Sequence, residues 1–311
     1  MNLKERIDAL APGDQFKLFG AAGTGKTTMA KSLASSYRSC FLAYTGKAAL
    51  RMKETGCDNP STIHRALYSF TKFGKQWVSV VDPKKYLREA ELVVLDECSM
   101  CPADLAADLK SAVPSARFLI LGDPCQLPPI YPENAPFHDN PDHLLTQVYR
   151  QESTSPVLEY ATSVRTLERI QTPVPEGIHQ FKGNLNAGFD MILCGRNATR
   201  ASINERMFIA RGRPTHPQRV VVANNYQHKV FNGQILPEGE PPPFPITCNR
   251  RPTTRGPVQV ELGYALTVHK AQGSQWDHVL LINEAPVFRD MAWRWLYTGI
   301  TRAARELTIS I

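Results

Sequence analysis

At 311 residues and 42% hydrophobic content, the chain is long enough for two packed domains and too apolar for global disorder. Its formal net charge of +7 suits a polyanionic partner, a merely basic soluble surface being the alternative. No apolar run approaches the roughly 18 residues that cross a bilayer. Residues 1–10 lack the apolar core and cleavage site of a secretory signal, so an intracellular, cytoplasmic protein with no membrane partner is expected.

In chain order, residues 1–10 read as a short amphipathic helix. Strands are predicted over 17–19, 40–44, 92–95 and 118–121, and helices over 27–36, 46–55 and 102–113. That alternation implies a parallel sheet with helices on both faces. Residues 68–81 carry β-prone runs around Lys72-Phe73-Gly74-Lys75, which reads as a hairpin turn. The boundary between two halves is expected near 151–155. The second half repeats the scheme, with strands over 191–194, 220–223, 279–282 and 307–311 and helices over 197–210 and 289–302. Residues 233–257, with Pro241-Pro242-Pro243, read as a loop and not as a core segment. No tandem short repeat stands out. The seven cysteines are odd in number and irregularly spaced, which does not suggest a disulfide framework. Cys98 and Cys101 make one Cys-x-x-Cys, too few ligands for a structural zinc site.

Two segments carry chemistry. Gly20-Ala21-Ala22-Gly23-Thr24-Gly25-Lys26-Thr27 fits the phosphate-loop pattern, and it follows a strand and opens a helix. Its glycines, Gly20, Gly23 and Gly25, let backbone N–H groups turn toward phosphates, and the helix N-terminus adds positive charge. Lys26 would reach the outer phosphates, and the Thr27 hydroxyl would ligate Mg²⁺. Leu92-Val93-Val94-Leu95 ends in Asp96-Glu97, two carboxylates at the C-terminal end of a central strand, where open α/β sheets bind ligands. Asp96 would hold Mg²⁺, and Glu97 would orient and deprotonate the attacking water of ATP hydrolysis. The plain alternative is a strand ending in solvated acids.

Further blocks follow in a fixed order. They are Tyr44-Thr45-Gly46-Lys47-Ala48-Ala49, Asp96-Glu97-Cys98-Ser99-Met100, Gly122-Asp123-Pro124-Cys125-Gln126-Leu127-Pro128-Pro129 and Tyr149-Arg150-Gln151. Thr267-Val268-His269-Lys270-Ala271-Gln272-Gly273-Ser274 and Tyr297-Thr298-Gly299-Ile300-Thr301-Arg302-Ala303 complete the series. With 20–28, this series resembles the successive motifs of superfamily 1B DNA helicases, in the RecD/Dda-like branch, over about residues 15–311.

The resemblance implies an α/β chain of two RecA-like P-loop NTPase domains with parallel sheets, over 1–152 and 153–311. A small β-hairpin insert is expected at 68–81 in the first, and a reduced Pro-rich insert at 233–257 in the second. It implies ATP and Mg²⁺ as ligands, ATP lying between the domains, and 5′-to-3′ movement on single-stranded DNA with separation of duplex. Thr24 and Thr28 join the nucleotide site, and Gln126 would sense the γ-phosphate. Arg150 and Arg302 resemble the two arginine fingers, while Gly273 and Gln275 fall on a further nucleotide-binding motif. Thr45, Lys47, Thr62 and His64 resemble first-domain DNA contacts, and Thr267, His269 and Lys270 those of the second. Such hydroxyl and amine donors suit phosphate contacts that do not read sequence. Aromatic side chains such as Phe73, Trp77 or Tyr68 would stack on bases, core packing being the alternative. Six arginines within 195–219 form a candidate electrostatic strip or a solvated helix face.

Three features depart from the family pattern. The adenine-reading glutamine upstream of the loop is replaced by the Leu3-Lys4 region. Gln275 stands where relatives place a ribose-binding Glu. The second-domain barrel insert is reduced to the Pro-rich segment. Partners expected are single-stranded DNA and DNA junctions. An RNA-directed helicase or a nucleic-acid-binding assembly subunit with weak ATPase activity are the alternatives.

Overall fold

Continuous apolar runs in the first half become strands buried on both faces, as a helix-covered parallel sheet requires. The computed structural model describes residues 2–73, 76–128, 137, 140–146, 155–170, 174–223, 225, 227–228, 230, 232–248 and 256–310, without the side chains of 70–73 and 76–79. The chain forms two units, Met1–Gln151 and Glu152–Ile311.

In the first unit, a short helix α1 (Leu3–Asp8) precedes β1 (Gln15–Gly20), α2 (Lys26–Ala34), β2 (Ser39–Ala43) and α3 (Gly46–Glu54). Next come β3 (Ser61–Thr62), α4 (Ile63–Leu67) and an antiparallel hairpin of β4 (Tyr68–Phe73) and β5 (Gln76–Val81). Then follow α5 (Lys85–Arg88), β6 (Leu92–Asp96), α6 (Ala103–Ala112), β7 (Arg117–Gly122) and β8 (His143–Leu145). The strand order is β3-β2-β6-β7-β1-β8, and every pairing is parallel.

Alternation along each strand divides the core in two. Leu92 and Val94 of β6 join Leu18, Phe41 and Leu119 in the cluster that includes Ala30 and Leu33 of α2 and Met52 of α3. Val93 and Leu95 face the other way, with Leu42, Phe118 and Ile120, against Ile63 and Leu67 of α4 and Leu105 and Leu109 of α6. The edge strands β3 and β8 are absent from the sequence reading. They are two and three residues long, too short to show a period.

The second unit begins with α7 (Pro156–Leu167), β9 (His179–Gln180), β10 (Met191–Cys194) and α8 (Asn197–Ala210). It continues through β11 (Arg219–Val221), β12 (Ile235–Leu236), β13 (Ile246–Thr247), β14 (Val258–Leu262), β15 (Ala265–Thr267), α9 (Val268–Ala271) and β16 (Trp276–Ile282). It closes with α10 (Ala292–Ile300) and β17 (Ala303–Ser310). The main sheet, β15-β10-β16-β17-β9, is again wholly parallel.

Two expectations need correction. The segment 233–257 is more than a loop. It supplies β12 and β13 to a second sheet, β12-β11-β14-β13, with its own core of Val221, Val230, Val258 and Val260 under Leu236, Phe244 and Ile246. Two-residue strands between prolines carry no periodic signal, and tertiary pairing alone makes them strands. The predicted helix over 289–302 is shorter than expected. A 3₁₀ stretch, Ala285–Met291, precedes α10, and Arg289 within it has φ 45° and ψ −118°. Arg302 lies in the turn after the helix, because β17 must start at Ala303 to pair with Trp276. Gly299 lets α10 approach the sheet, since an added Cβ would lie 2.9 Å from Leu281 Cδ1. No helix among the described residues is long and apolar enough to cross a membrane.

Candidate nucleotide and nucleic-acid site

Because β6, β7 and β1 are parallel neighbours, the segments that follow them emerge at one edge of the sheet. That edge brings together 20–27 after β1, Asp96-Glu97 after β6 and Asp123–Gln126 after β7. The phosphate loop enters α2 through Gly25, at φ 73°, and no side chain caps the helix. Its first N–H groups are therefore turned toward a ligand position instead of a side chain. Gly20 tolerates no side chain, because a Cβ would stand 2.6 Å from Thr24 Oγ1 and 2.9 Å from the Leu145 carbonyl oxygen. Thr24 is buried and donates to the Ala21 carbonyl at 2.9 Å, which braces the loop internally. The Lys26 ammonium donates to the Gly20 and Ala21 carbonyls at 2.8 and 3.0 Å, folded over the loop it would share with phosphate. Thr28 is exposed on the first turn of α2.

The Thr27 hydroxyl donates to Asp96 Oδ2 at 2.9 Å. Asp96 is 9% exposed, and burial followed by the Glu97 carboxylate pushes its carboxyl above the ordinary value. A buried carboxylate beside a hydroxyl, disfavoured as an anion, fits a hard divalent cation with oxygen ligands. Glu97 sits in the left-handed region at φ 53°, ψ 45°, and its N–H donates to Asp96 Oδ1 at 2.8 Å. A non-glycine residue held there stores roughly 1–3 kcal/mol of strain, a frequent property of working sites. Gln126 is buried, and its amide nitrogen donates to Asp123 Oδ2 at 3.4 Å. Its Oε1 is buried with no hydrogen-bond partner among the described residues, so the acceptor suits a water or ligand donor arriving at this edge.

The first-unit residues expected to meet nucleic acid lie on the same sheet edge, after β2 and β3. Thr45 caps α3 by accepting from Ala48 N–H at 3.2 Å, and Thr62 caps α4 by accepting from Arg65 N–H at 3.3 Å. Burial lowers the Lys47 amine to about 8. Burial also lowers His64, whose ring lies 6.0 Å from that of Tyr44 and 5.9 Å from that of Tyr68.

The second unit repeats this turn. Thr267 ends β15 and caps α9, accepting from Lys270 N–H at 3.3 Å. His269 is again lowered by burial and faces an aromatic ring, Phe288, at 5.7 Å. Burial lowers Lys270 as well. Thr62-Ile63-His64-Arg65-Ala66 and Thr267-Val268-His269-Lys270-Ala271 thus match in residue type and in local geometry. Both threonines and both histidines are legible in the sequence, but the duplication is not, because five residues some 200 apart make no tandem period. Aligning the two halves would have revealed it.

Beyond α9, Gly273 turns at φ 74°, and Gln275 donates to the Thr301 carbonyl at 2.9 Å. Arg302 is 2% exposed. Its guanidinium donates to the Thr298 carbonyl at 3.1 Å, the Ser274 carbonyl at 3.2 Å and Thr301 Oγ1 at 3.0 Å. Gly273, Gln275 and Arg302 are therefore gathered at one place in this unit, with the buried Ser274 hydroxyl, unpartnered among the described residues, beside them.

Arg150 and the Phe73 side chain lie outside the described residues. The arginine strip over 195–219 is half neutralised, since Arg196, Arg200 and Arg211 pair with Glu284, Glu261 and Glu238. Cys98 and Cys101 are buried free thiols, both pushed up by burial, and act as small apolar groups.

Comparison with known proteins agrees with this layout. Residues 4–132 match the AAA domain family, and residues 262–310 match the UvrD-like helicase C-terminal domain. The ATP-dependent RecD2 DNA helicase of Deinococcus radiodurans is 31% identical over 353 aligned positions, covering 96% of this chain and 47% of that protein. The RecBCD enzyme subunit RecD of Haemophilus influenzae is 28% identical over 93 positions, covering 29% of this chain and 14% of that protein. The chain thus spans less than half the length of these curated relatives. A structure of two coordinating Pif1 helicases unwinding forked double-stranded DNA superposes with a TM-score of 0.67 at 17% identity, covering 99% of this chain and 90% of that one. Bacteroides Pif1 in complex with ADP-AlF3 and single-stranded DNA gives 0.64 at 16% identity, covering 100% and 92%. Ordered motifs, an AAA domain match, a UvrD-like helicase C-terminal domain match and a RecD2 relative aligned along nearly the whole chain agree: the chain is similar to the RecD-like DNA helicases.

Proposed function

We propose that this chain is an ATP-dependent DNA helicase and translocase that moves 5′ to 3′ on single-stranded DNA and separates duplex. The observation that carries the reading is the Thr27–Asp96 hydrogen bond, which joins the phosphate loop to the carboxylate strand at one sheet edge. Residues 1–152 and 153–311 serve as the two RecA-like domains. Thr27 and Asp96 would hold Mg²⁺, whose charge offsets that of the phosphates. Lys26 leaves its loop carbonyls for the outer phosphates. Glu97 accepts the proton of the attacking water, and Gln126 Oε1 helps orient that water. Arg302, with Arg150, supplies cationic charge to the γ-phosphate, and Gly273 and Gln275 complete the nucleotide contacts. Thr45, Lys47, Thr62 and His64, with Thr267, His269 and Lys270, hold successive phosphates of the strand. The β4–β5 hairpin parts the duplex. A soluble, intracellular protein is the corresponding location.

Strand displacement from 5′-tailed and 3′-tailed duplexes tests the reading, with ATPase stimulation by matched DNA and RNA oligonucleotides beside it. Opening of the 5′-tailed DNA substrate alone is expected. Preference for the 3′ tail would overturn the direction, stronger stimulation by RNA the substrate class, and no nucleic-acid stimulation the reading itself.

Lys47 gives the track a pH signature. Its amine falls from the usual 10.5 to about 8 in the free protein. Between those values the unfolded chain binds more protons. Stability therefore rises with pH across that window, and the cost of the buried charge is fully present below 8. A phosphate partner favours the ammonium and opposes that shift. Affinity for single-stranded DNA should thus drop about tenfold from pH 7.5 to 9 at fixed ionic strength. Lys47→Arg stays charged throughout and should flatten the drop. The same slope in both proteins would remove Lys47 from the track.

A further inference from the structure

We propose that Tyr68, through its hydroxyl bond to Asp108, is a positioning residue that locks the β4–β5 hairpin against α6 and so gears strand separation to movement along the strand. The inference rests on the functional reading above and assigns a role to two residues outside its site.

No linker separates the strand-contacting turn from the hairpin. α4 ends at Leu67 and β4 begins at Tyr68, whose own N–H closes the helix on the His64 carbonyl. α4 is fixed in the domain, because Ile63, Ala66 and Leu67 are fully buried in the core. The returning strand is tied to the same helix. Asp82 N–H donates to the Leu67 carbonyl and Lys84 N–H to the Ala66 carbonyl, each at 2.8 Å. Side chains brace this junction, with Ser69 Oγ donating to Asp82 Oδ2 at 2.5 Å and Lys84 Nζ to Ser69 Oγ at 2.7 Å.

Those bonds join the hairpin to α4 but leave its tilt across the domain to be set. The Tyr68 hydroxyl sets it by donating to Asp108 Oδ2 on α6 at 2.5 Å. Burial, and then Asp108 as acceptor, hold the phenol well above its ordinary value, so the donor stays protonated. The Tyr68 ring also lies against His64. The hairpin base is thus in register with the residue proposed to hold a phosphate. A two-stranded hairpin is marginally stable alone, so its direction depends on such ties. Losing a hydrogen bond to a charged acceptor shifts a docked-to-undocked equilibrium by about tenfold or more.

The experiment compares the full chain with Tyr68→Phe, Asp108→Ala and Asp108→Asn. It reads single-strand-stimulated ATPase, opening of a 5′-tailed duplex and thermal stability. Tyr68→Phe keeps the ring and should hold ATPase within about twofold while duplex opening per ATP falls about tenfold. Asp108→Ala should match it. Asp108→Asn, whose carboxamide oxygen still accepts, should lose less. Parent-like opening by Tyr68→Phe would overturn the proposal. So would a parallel fall of ATPase and opening, which would place Tyr68 in the track or the fold. A parent chain without stimulated ATPase would bring down the functional reading and this inference with it.

Discussion

Glu97→Gln should reduce nucleic-acid-stimulated ATP hydrolysis by about 10²–10⁴-fold while nucleotide binding stays near the parent level. The amide matches the carboxylate in size and leaves the Glu97 N–H bond to Asp96 intact, so the left-handed turn survives. What it lacks is an acceptor basic enough to take the proton of the attacking water. Lys26→Ala separates binding from chemistry. It removes the ammonium that spans the loop and should weaken triphosphate affinity as well as rate. Single-turnover hydrolysis with a parallel nucleotide-binding titration reads both. Full stimulated turnover by Glu97→Gln would show that the base lies elsewhere.

Arg302→Lys should lower the stimulated rate by about 10³-fold, the low end of what an arginine facing a γ-phosphate contributes. Lysine keeps the charge but presents a single ammonium where the guanidinium addresses three acceptors. Those acceptors are buried, so a loss of stability of about 1–3 kcal/mol is expected alongside. Thermal unfolding and the rate per folded molecule separate the two effects. A destabilised protein with a normal rate per folded molecule would make Arg302 a structural brace for the Ser274–Thr301 turn and nothing more.

Parts of the nucleotide edge were legible in the sequence because their chemistry is local. Gly20–Lys26 spacing, a four-residue apolar run ending in Asp96-Glu97 and the Gly-Asp before Gln126 each announce a strand end. Parallel order then places all three at one edge. Arg302 was legible as a motif residue but not as a buried one. Its burial depends on Ser274 and Thr298, which only the folded turn brings near. The small second sheet escaped for a related reason. Ile235–Leu236 and Ile246–Thr247 become strands by pairing with distant partners, and prolines hide them from any periodic reading. The Tyr68–Asp108 tie spans 40 positions between a strand and a helix, which no local pattern records.

The strand order also governs when the phosphate loop can exist during synthesis. β1 is complete once residue 20 is made, yet it lies between β7, at 117–122, and β8, at 143–145. Both neighbours lie more than a hundred positions ahead. At ribosomal rates, the strand carrying the loop waits on the order of ten seconds for both flanks. Closing such long chain separations slows folding. A nascent chain halted before residue 117 should have apolar β1 uncovered and bind no nucleotide, whereas one released past residue 145 can assemble the whole sheet. The most sequence-local signature in the protein thus becomes functional only once translation has passed residue 145.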